Sequence, residues 1–285
     1  MPDGSGALAQ QAPGHPAIVR IIAPNPGPMT LGGTNSYVVG ANPAWVVDPG
    51  PAIPVHIAEI RAVCESRGGI GGVVLTHSHH DHCEGVEMLG IEPALGMVGA
   101  DGEFEAFAAA AADARGPLPV NGSIVRSGSA PAKAPAEVGP FQVVPTPGHA
   151  VDHVAFVVNR VCLCGDLILG EGSSIVPPAA GGGSLLDYMA SLRRLGALPL
   201  DLLSPGHGGW IGDPSAKIRD YIAHRHAREE KLLAALAGGI VDREELLDRA
   251  WGDVAAPLRP AAALAMQAHL EKLAAESRIP ELPAA

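Results

Sequence analysis

The stretch from Gly71 to Gly85, GGVVLTHSHHDHCEG, runs an apolar strand straight into a knot of imidazoles and a carboxylate. Val73, Val74 and Leu75 read as a buried strand end, so His77, His79, Asp81 and His82 emerge together at its C-terminal edge. Alternation puts His77 and His79 on one side, while Asp81 and His82 belong to the turn into the next helix. Imidazole nitrogen and carboxylate oxygen suit Zn²⁺, and three such ligands per ion leave a coordination position for water. One strand-to-helix corner can thus serve two ions.

A surface cluster or a histidine-rich loop has the same local composition. Three further residues of ligand type weigh against that alternative: His149 in PTPGHAVDH, Asp166 in VCLCGDLI and His207 in LLSPGHGG. Each follows an apolar strand pattern and sits beside glycine, which permits the tight turn that presents a neighbouring side chain. Any one alone reads as a solvated loop residue; together with the first cluster they complete two sites. His80 and His153 flank these positions and read as solvated or supporting groups. His224 and His226 fall on a helical pattern and read as helix-surface residues.

Around these positions the β-branched runs AIVRIIA, SYVVG, AWVVD, FQVVPT, VAFVVN and VCLCGD are separated by Gly, Pro or Asn and read as strands. Helical patterns cover 55–66, 83–89 and 102–114. Strands alternating with helices imply an α/β fold. The Pro- and Ala-containing stretch 128–139 reads as a flexible connection. After Asp213 the pattern becomes amphipathic helix, in KIRDYIAHRHAREEKLLAALA, REELLDRAW and AAALAMQAHLEKLAAES. A catalytic domain over 1–212 and a small helical region over 213–285 is therefore expected, the latter covering the sheet, forming a partner surface or shaping the substrate site.

The chain has 285 residues, enough to bury one substantial core. No stretch of eighteen unbroken apolar residues occurs, and MPDGSGALAQQAPGHPAIVR has neither a basic nor an apolar leader segment, so a cytoplasmic protein without membrane association is expected. Cys64, Cys83, Cys162 and Cys164 form no CxxC pair and read as reduced thiols. The formal charge of -11 disfavours a nucleic-acid partner, although bound cations would supply local positive charge that this count omits. Nothing in the sequence decides the oligomeric state.

His77-Ser-His-His-Asp-His82 resembles the HxHxDH motif of the metallo-β-lactamase superfamily, and His149, Asp166 and His207 match its later ligand motifs. The resemblance spans roughly residues 15–212. It implies a four-layered αβ/βα sandwich with two divalent ions, zinc first, with iron or manganese also fitting such donors. It further implies that His77, His79 and His149 hold one ion, that Asp81, His82 and His207 hold the other, and that Asp166 bridges them. NPGPMTLGGTNSYVVG, GDLILGEGSSIV, YIAHRHAREEKLL and MQAHLEKLAAESRI resemble the lactamase-β-like-protein-two subfamily, whose C-terminal domain is small and winged-helix-like. Members of that subfamily include endoribonucleases and polyketide-pathway thioesterases.

The implied chemistry is hydrolysis by a water that two cations acidify to a pKa of roughly 7. Asp81 is then the general acid/base candidate. Asp48 in AWVVDPG resembles the family's buried acid that braces the metal histidines, while an Asp before Pro-Gly reads equally as a turn former. Asn35, Tyr37, Ser173, Ser174 and Tyr188 are candidates for lining the substrate cleft. A small acyl substrate such as a thioester, ester or lactone suits the acidic chain, with weak β-lactamase activity as a side reaction. The alternatives are single-strand RNA cleavage, which needs stacking aromatics that form only 4% of residues, a genuine metallo-β-lactamase, and a diiron redox or gas-binding module.

Overall fold

A computed structural model of the chain describes residues 9–91 and 136–279. The helical pattern at 102–114 and most of the connection at 128–139 lie outside these residues. A first sheet has the order β1 (Ala9–Ala12), β2 (His15–Ile22), β3 (Asn35–Val39), β4 (Ala44–Val47) and β5 (Ile70–Val74). A second has the order β10 (Leu202–Pro205), β9 (Val161–Gly165), β8 (Val154–Val158), β7 (Phe141–Pro145) and β6 (Glu137–Val138). In each sheet the last pair toward the site, β4 with β5 and β9 with β10, is parallel, and the remaining pairs are antiparallel. A parallel pair needs a long crossover, supplied by α1 (Pro54–Glu65) in the first sheet and α4 (Leu185–Gly196) in the second.

Both sheets are covered on both faces, and the alternation of side chains shows how. Val47 and Val74 turn inward to meet Phe156 and Leu163 of the opposing sheet. Their neighbours Val46 and Val73 turn outward onto Ile57, Ile60 and Cys64 of α1. Ala155, Cys162 and Cys164 likewise turn outward onto Leu185, Tyr188, Met189 and Leu192 of α4. The result is a helix, sheet, sheet, helix sandwich. All four cysteines are free thiols, and no described helix is long and apolar enough to cross a membrane.

The described residues beyond Asp213 are helix and turn. α5 (Pro214–Ala237) starts on Pro214, with Asp213 Oδ1 accepting from the Ala216 amide at 2.9 Å. Its first half joins the sheet-covering core through Ile218 and Tyr221. Its second half, through Leu232 and Ala235, packs with α6 (Arg243–Trp251) and α7 (Arg259–Ala275) in a separate apolar cluster.

Three elements differ from the sequence reading. AQQA pairs with β2 as an edge strand despite its two glutamines, because an edge strand exposes one face to water. Glu137 and Val138, at the end of the expected flexible connection, pair with β7. The helix expected at 83–89 begins earlier, as α2 (His80–Cys83), and resumes as α3 (Gly85–Leu89), so Asp81 and His82 sit on a helical turn.

His56 of α1 is fully buried against Ser36, Nε2 to Oγ at 2.8 Å, and burial lowers it to about 4. In the unfolded chain it titrates near 6.5. Its folded value is the depressed one, so its contribution is intact above pH 6.5 and is lost as pH falls toward 4. The expected slope of stability is up to roughly 1.4 kcal/mol per pH unit in that window. Urea unfolding of wild type and His56→Asn, compared at pH 7 and pH 4.5, checks it: the variant's midpoint should move less between the two, and an equal shift refutes the assignment.

Candidate metal centre

The ends of β5 and β9 lie side by side, and the loops that leave them converge. His77 continues past β5, Asp81 and His82 follow on α2, Asp166 is the first residue beyond β9, and His207 is two residues past β10. His149 lies in the loop between β7 and β8. Ligating atoms of His77, His79, His149 and Asp166 fall within 4.8 Å of one another, and so do those of Asp81, His82 and His207. Asp166 faces both groups: Oδ1 is 3.5 Å from His82 Nε2, and Oδ2 is 3.3 Å from His207 Nε2 and 3.7 Å from His149 Nε2.

Glycine makes this approach feasible. At Gly206 a Cβ would stand 2.3 Å from Asp166 Oδ1 and 2.7 Å from His82 Cε1. Such a spacing admits no side chain, so the backbone itself forms the floor beneath the two ligand groups.

The residues around the clusters select the imidazole tautomers. His82 Nδ1 donates to Asp48 Oδ2 at 2.9 Å, His149 Nδ1 to the Ile175 carbonyl at 2.7 Å, and His207 Nδ1 to the Gly33 carbonyl at 3.3 Å. Thr76 Oγ1 donates to Asp48 Oδ2 at 2.6 Å, which leaves its lone pairs for His77 Nδ1–H at 3.0 Å. Four rings thus spend Nδ1–H on the surrounding structure and turn Nε2 lone pairs toward the clusters. His149 Nε2 even stands 3.0 Å from His79 Nδ1.

Buried polar atoms ordinarily find a partner, yet His77 Nε2, His82 Nε2 and Asp166 Oδ1 have none within the protein. These orphans, with the fixed tautomers, fit divalent cations held by nitrogen and oxygen donors. The electrostatics agree. Burial and the neighbouring His82 and His79 hold His77 well below its ordinary value. Burial alone would lower His207, but hydrogen bonds to Asp166 and Asp81 hold it up to about 9. Burial opposes ionisation of Asp166, but the charge of His82 and the hydrogen bond from His207 outweigh it and keep the carboxyl ionised. Protons and cations therefore compete for the same nitrogens.

Asp48 combines both readings of its sequence. It adopts a left-handed turn conformation with φ of 52°, and both its oxygens are engaged, Oδ1 by the Thr76 amide at 2.7 Å and Oδ2 by Thr76 and His82. The proposed substrate-lining set needs correction. Asn35, Tyr37, Ser174 and Tyr188 are all buried. Asn35 Nδ2 donates to the Pro205 and Gly208 carbonyls, Tyr37 to the Pro205 carbonyl at 2.7 Å, and Tyr188 to the Leu167 carbonyl at 2.6 Å. Ser174 Oγ donates to the Asp166 carbonyl at 2.5 Å. Sequence position beside a strand end does not distinguish a side chain that faces a cleft from one that braces the loop, and these four brace loops. Ser173 is half-exposed.

His80 is exposed and pairs with Glu84 at 3.3 Å. His153 is buried beneath His77, with ring centroids 5.1 Å apart, and its Nδ1 is 2.8 Å from Thr146 Oγ1. On α5, His226 lies 3.5 Å from Glu229, while His224 is half-buried rather than a free surface group. Thr34, whose Oγ1 donates to Asp81 Oδ2 at 2.9 Å, and Thr76 were missed as site residues. Both stand in quoted motifs, but a threonine in a strand run reads as ordinary sheet composition.

The family model for the metallo-beta-lactamase superfamily matches residues 29–207, the span that carries every residue of both clusters. The chain belongs to the metallo-beta-lactamase superfamily. Superfamily members are mostly hydrolases and generally bind two divalent metals. Among relatives, the Beta-lactamase-like protein 2 homolog of Drosophila melanogaster is 31% identical over 92% of this chain and 89% of its own length. Thioesterase pkgB of Emericella nidulans is 33% identical over 77% of this chain, which spans 59% of that protein. The crystal structure of metallo-beta-lactamase family protein TTHA1429 from Thermus thermophilus superposes with a TM-score of 0.65 at 26% identity, covering 93% of this chain and 95% of that one.

Proposed function

We propose that this superfamily member is a binuclear, zinc-dependent hydrolase that cleaves a thioester or a related acyl bond of a small molecule. His77, His79 and His149 would hold one ion, Asp81, His82 and His207 the other, with Asp166 shared. The observation that supports this reading is the convergence of His77 Nε2, His82 Nε2 and Asp166 Oδ1, buried without a hydrogen-bond partner in the protein, while the Nδ1 atoms of His77, His82, His149 and His207 are engaged outward. Divalent cations held there would supply Lewis acidity toward a carbonyl oxygen and acidify a water to near neutral pH.

The protein's own groups contribute position and proton handling. Thr34 and His207 both engage Asp81 Oδ2, and the hydrogen bond from His207 with the charge of His82 overcomes burial to hold Asp81 below the ordinary carboxylate range. An ionised carboxylate at the mouth of the site, fixed on one oxygen, can orient water and accept its proton. The acyl-bond reading draws on the 33% identity to a protein named a thioesterase, and on the net charge of -11, which repels a polyanionic substrate.

The test is metal content by elemental analysis together with turnover of an acyl thioester, a lactone, a nitrocefin-type lactam and single-stranded RNA. Two zinc ions per chain and thioester or lactone hydrolysis that falls about 10²-fold in Asp81→Ala are expected. Cleavage of RNA alone would overturn the acyl substrate, a chain with no metal would overturn the mechanism, and visible iron absorbance without hydrolysis would favour a redox protein.

A further inference from the structure

We infer that α5 is a positioning element for the metal centre, with Arg225 as the residue that couples them; this rests on the two clusters being metal sites. Lys217, Tyr221 and Arg225 are spaced at i, i+4 and i+8, so they form one stripe along α5. All three reach the segment that follows Asp166. Lys217 Nζ donates to the Gly170 carbonyl at 3.1 Å. Tyr221 Oη accepts from the Leu169 amide at 2.9 Å and stands 3.4 Å from the Leu169 carbonyl. Arg225 is buried, donates to the Ser174 carbonyl, and lies over the Tyr188 ring with 5.1 Å to the centroid.

The clamped segment in turn contacts three of the cluster residues. Ser174 Oγ donates to the Asp166 carbonyl, and the Ile175 carbonyl accepts from His149 Nδ1. The Gly170 amide donates to the His207 carbonyl at 2.9 Å. Arg225 acts closest to His149: it fixes Ser174, and the next peptide selects the His149 tautomer that leaves Nε2 for a cation. The Tyr188 beneath its guanidinium packs its own backbone against Gly148 and donates through its hydroxyl to the Leu167 carbonyl. A polar stripe on a buried helix face thus transmits the placement of the C-terminal helices to loops carrying His149 and Asp166. A helix that merely covered the sheet would need only apolar residues there.

Loss of a group that orients a metal ligand costs about 10- to 100-fold in metal affinity. Arg225→Met should therefore release one of its two ions at a chelator concentration at least tenfold below that needed for wild type, while the other ion is retained. Arg225→Lys keeps the charge without the planar fork, so it should recover part of this affinity and serves if the methionine variant does not fold. Arg228→Met is the control. Arg228 lies on the same helix but binds Asp253 beyond the end of α6 at 2.5 Å and the Ala250 carbonyl, away from the clamped segment. It should lower the melting temperature of the metal-free chain without changing chelator resistance relative to wild type. Retention of both ions by folded Arg225→Met at wild-type affinity would overturn the inference, as would equal loss from the Arg228 variant. A wild-type chain that takes up no metal would instead overturn the proposed function on which it stands.

Discussion

Asp166→Ala is expected to remove most hydrolytic turnover, roughly 10³-fold, because its carboxylate faces both ligand groups and nothing else replaces it. The side chain lies between His82 Nε2 at 3.5 Å, His207 Nε2 at 3.3 Å and His149 Nε2 at 3.7 Å, so under the proposed assignment its loss would take a donor from each ion at once. It also takes away the carboxylate that faces His149 and leaves His82 and His207 with Asp81 as their acidic neighbour. Metal content should drop below two ions per chain, while the near-ultraviolet circular dichroism stays that of the wild type, since Asp166 packs no hydrophobic core. Asp166→Asn separates shape from charge: the amide retains the volume but lacks the negative charge, and should fall close to the alanine variant. Two tightly held ions with near-wild-type turnover in either variant would show that the converging donors are not the reaction centre.

How much of this was legible in the sequence depends on which constraint wrote each residue. The strands AWVVD, GGVVLTH and VCLCGD carry runs with no polar alternate because both faces of each sheet are covered, and such runs stand out. The ligand residues are legible because they recur: any one alone reads as a solvated loop residue, but the HSHHDH cluster, His149, Asp166 and His207 each follow an apolar strand pattern. The loop braces were not legible. Asn35, Tyr37 and Tyr188 occupy places that also suit substrate contacts, and only the position of carbonyls contributed by residues far along the chain, such as Pro205 and Leu167, shows where their polar atoms go. Arg225 shares that limit. Its spacing from Lys217 and Tyr221 was readable as one helix face, but the carbonyls and amide that receive this face lie 47 to 52 residues earlier in the chain, at Leu169, Gly170 and Ser174.

The glycines beside the ligands belong to the legible part, and Gly148 gives the clearest measurable consequence. Its φ is +138°, a conformation that an L side chain adopts only under strain, worth about 1–3 kcal/mol. An added Cβ would meet the Tyr188 backbone, Cα and N both at 2.4 Å, rather than the end of a flexible side chain. Backbone cannot rotate out of the way, so relief requires the His149 loop and the first turn of α4 to separate, at a further cost of roughly 1–3 kcal/mol. Gly148→Ala should therefore lose on the order of 4 kcal/mol of stability, summing those two contributions. The same displacement moves His149 away from Asp166 and Ser174, so the variant should also bind metal more weakly than its stability loss alone predicts. Gly172→Ala is the matched comparison. Gly172 also has a positive φ, +67°, but an added Cβ there meets nothing within 4 Å. It should show the conformational cost without the clash, at most about 1–3 kcal/mol. Urea unfolding of both metal-free variants decides the matter: equal losses would mean that close packing of Tyr188 against Gly148 does not hold the His149 loop in place.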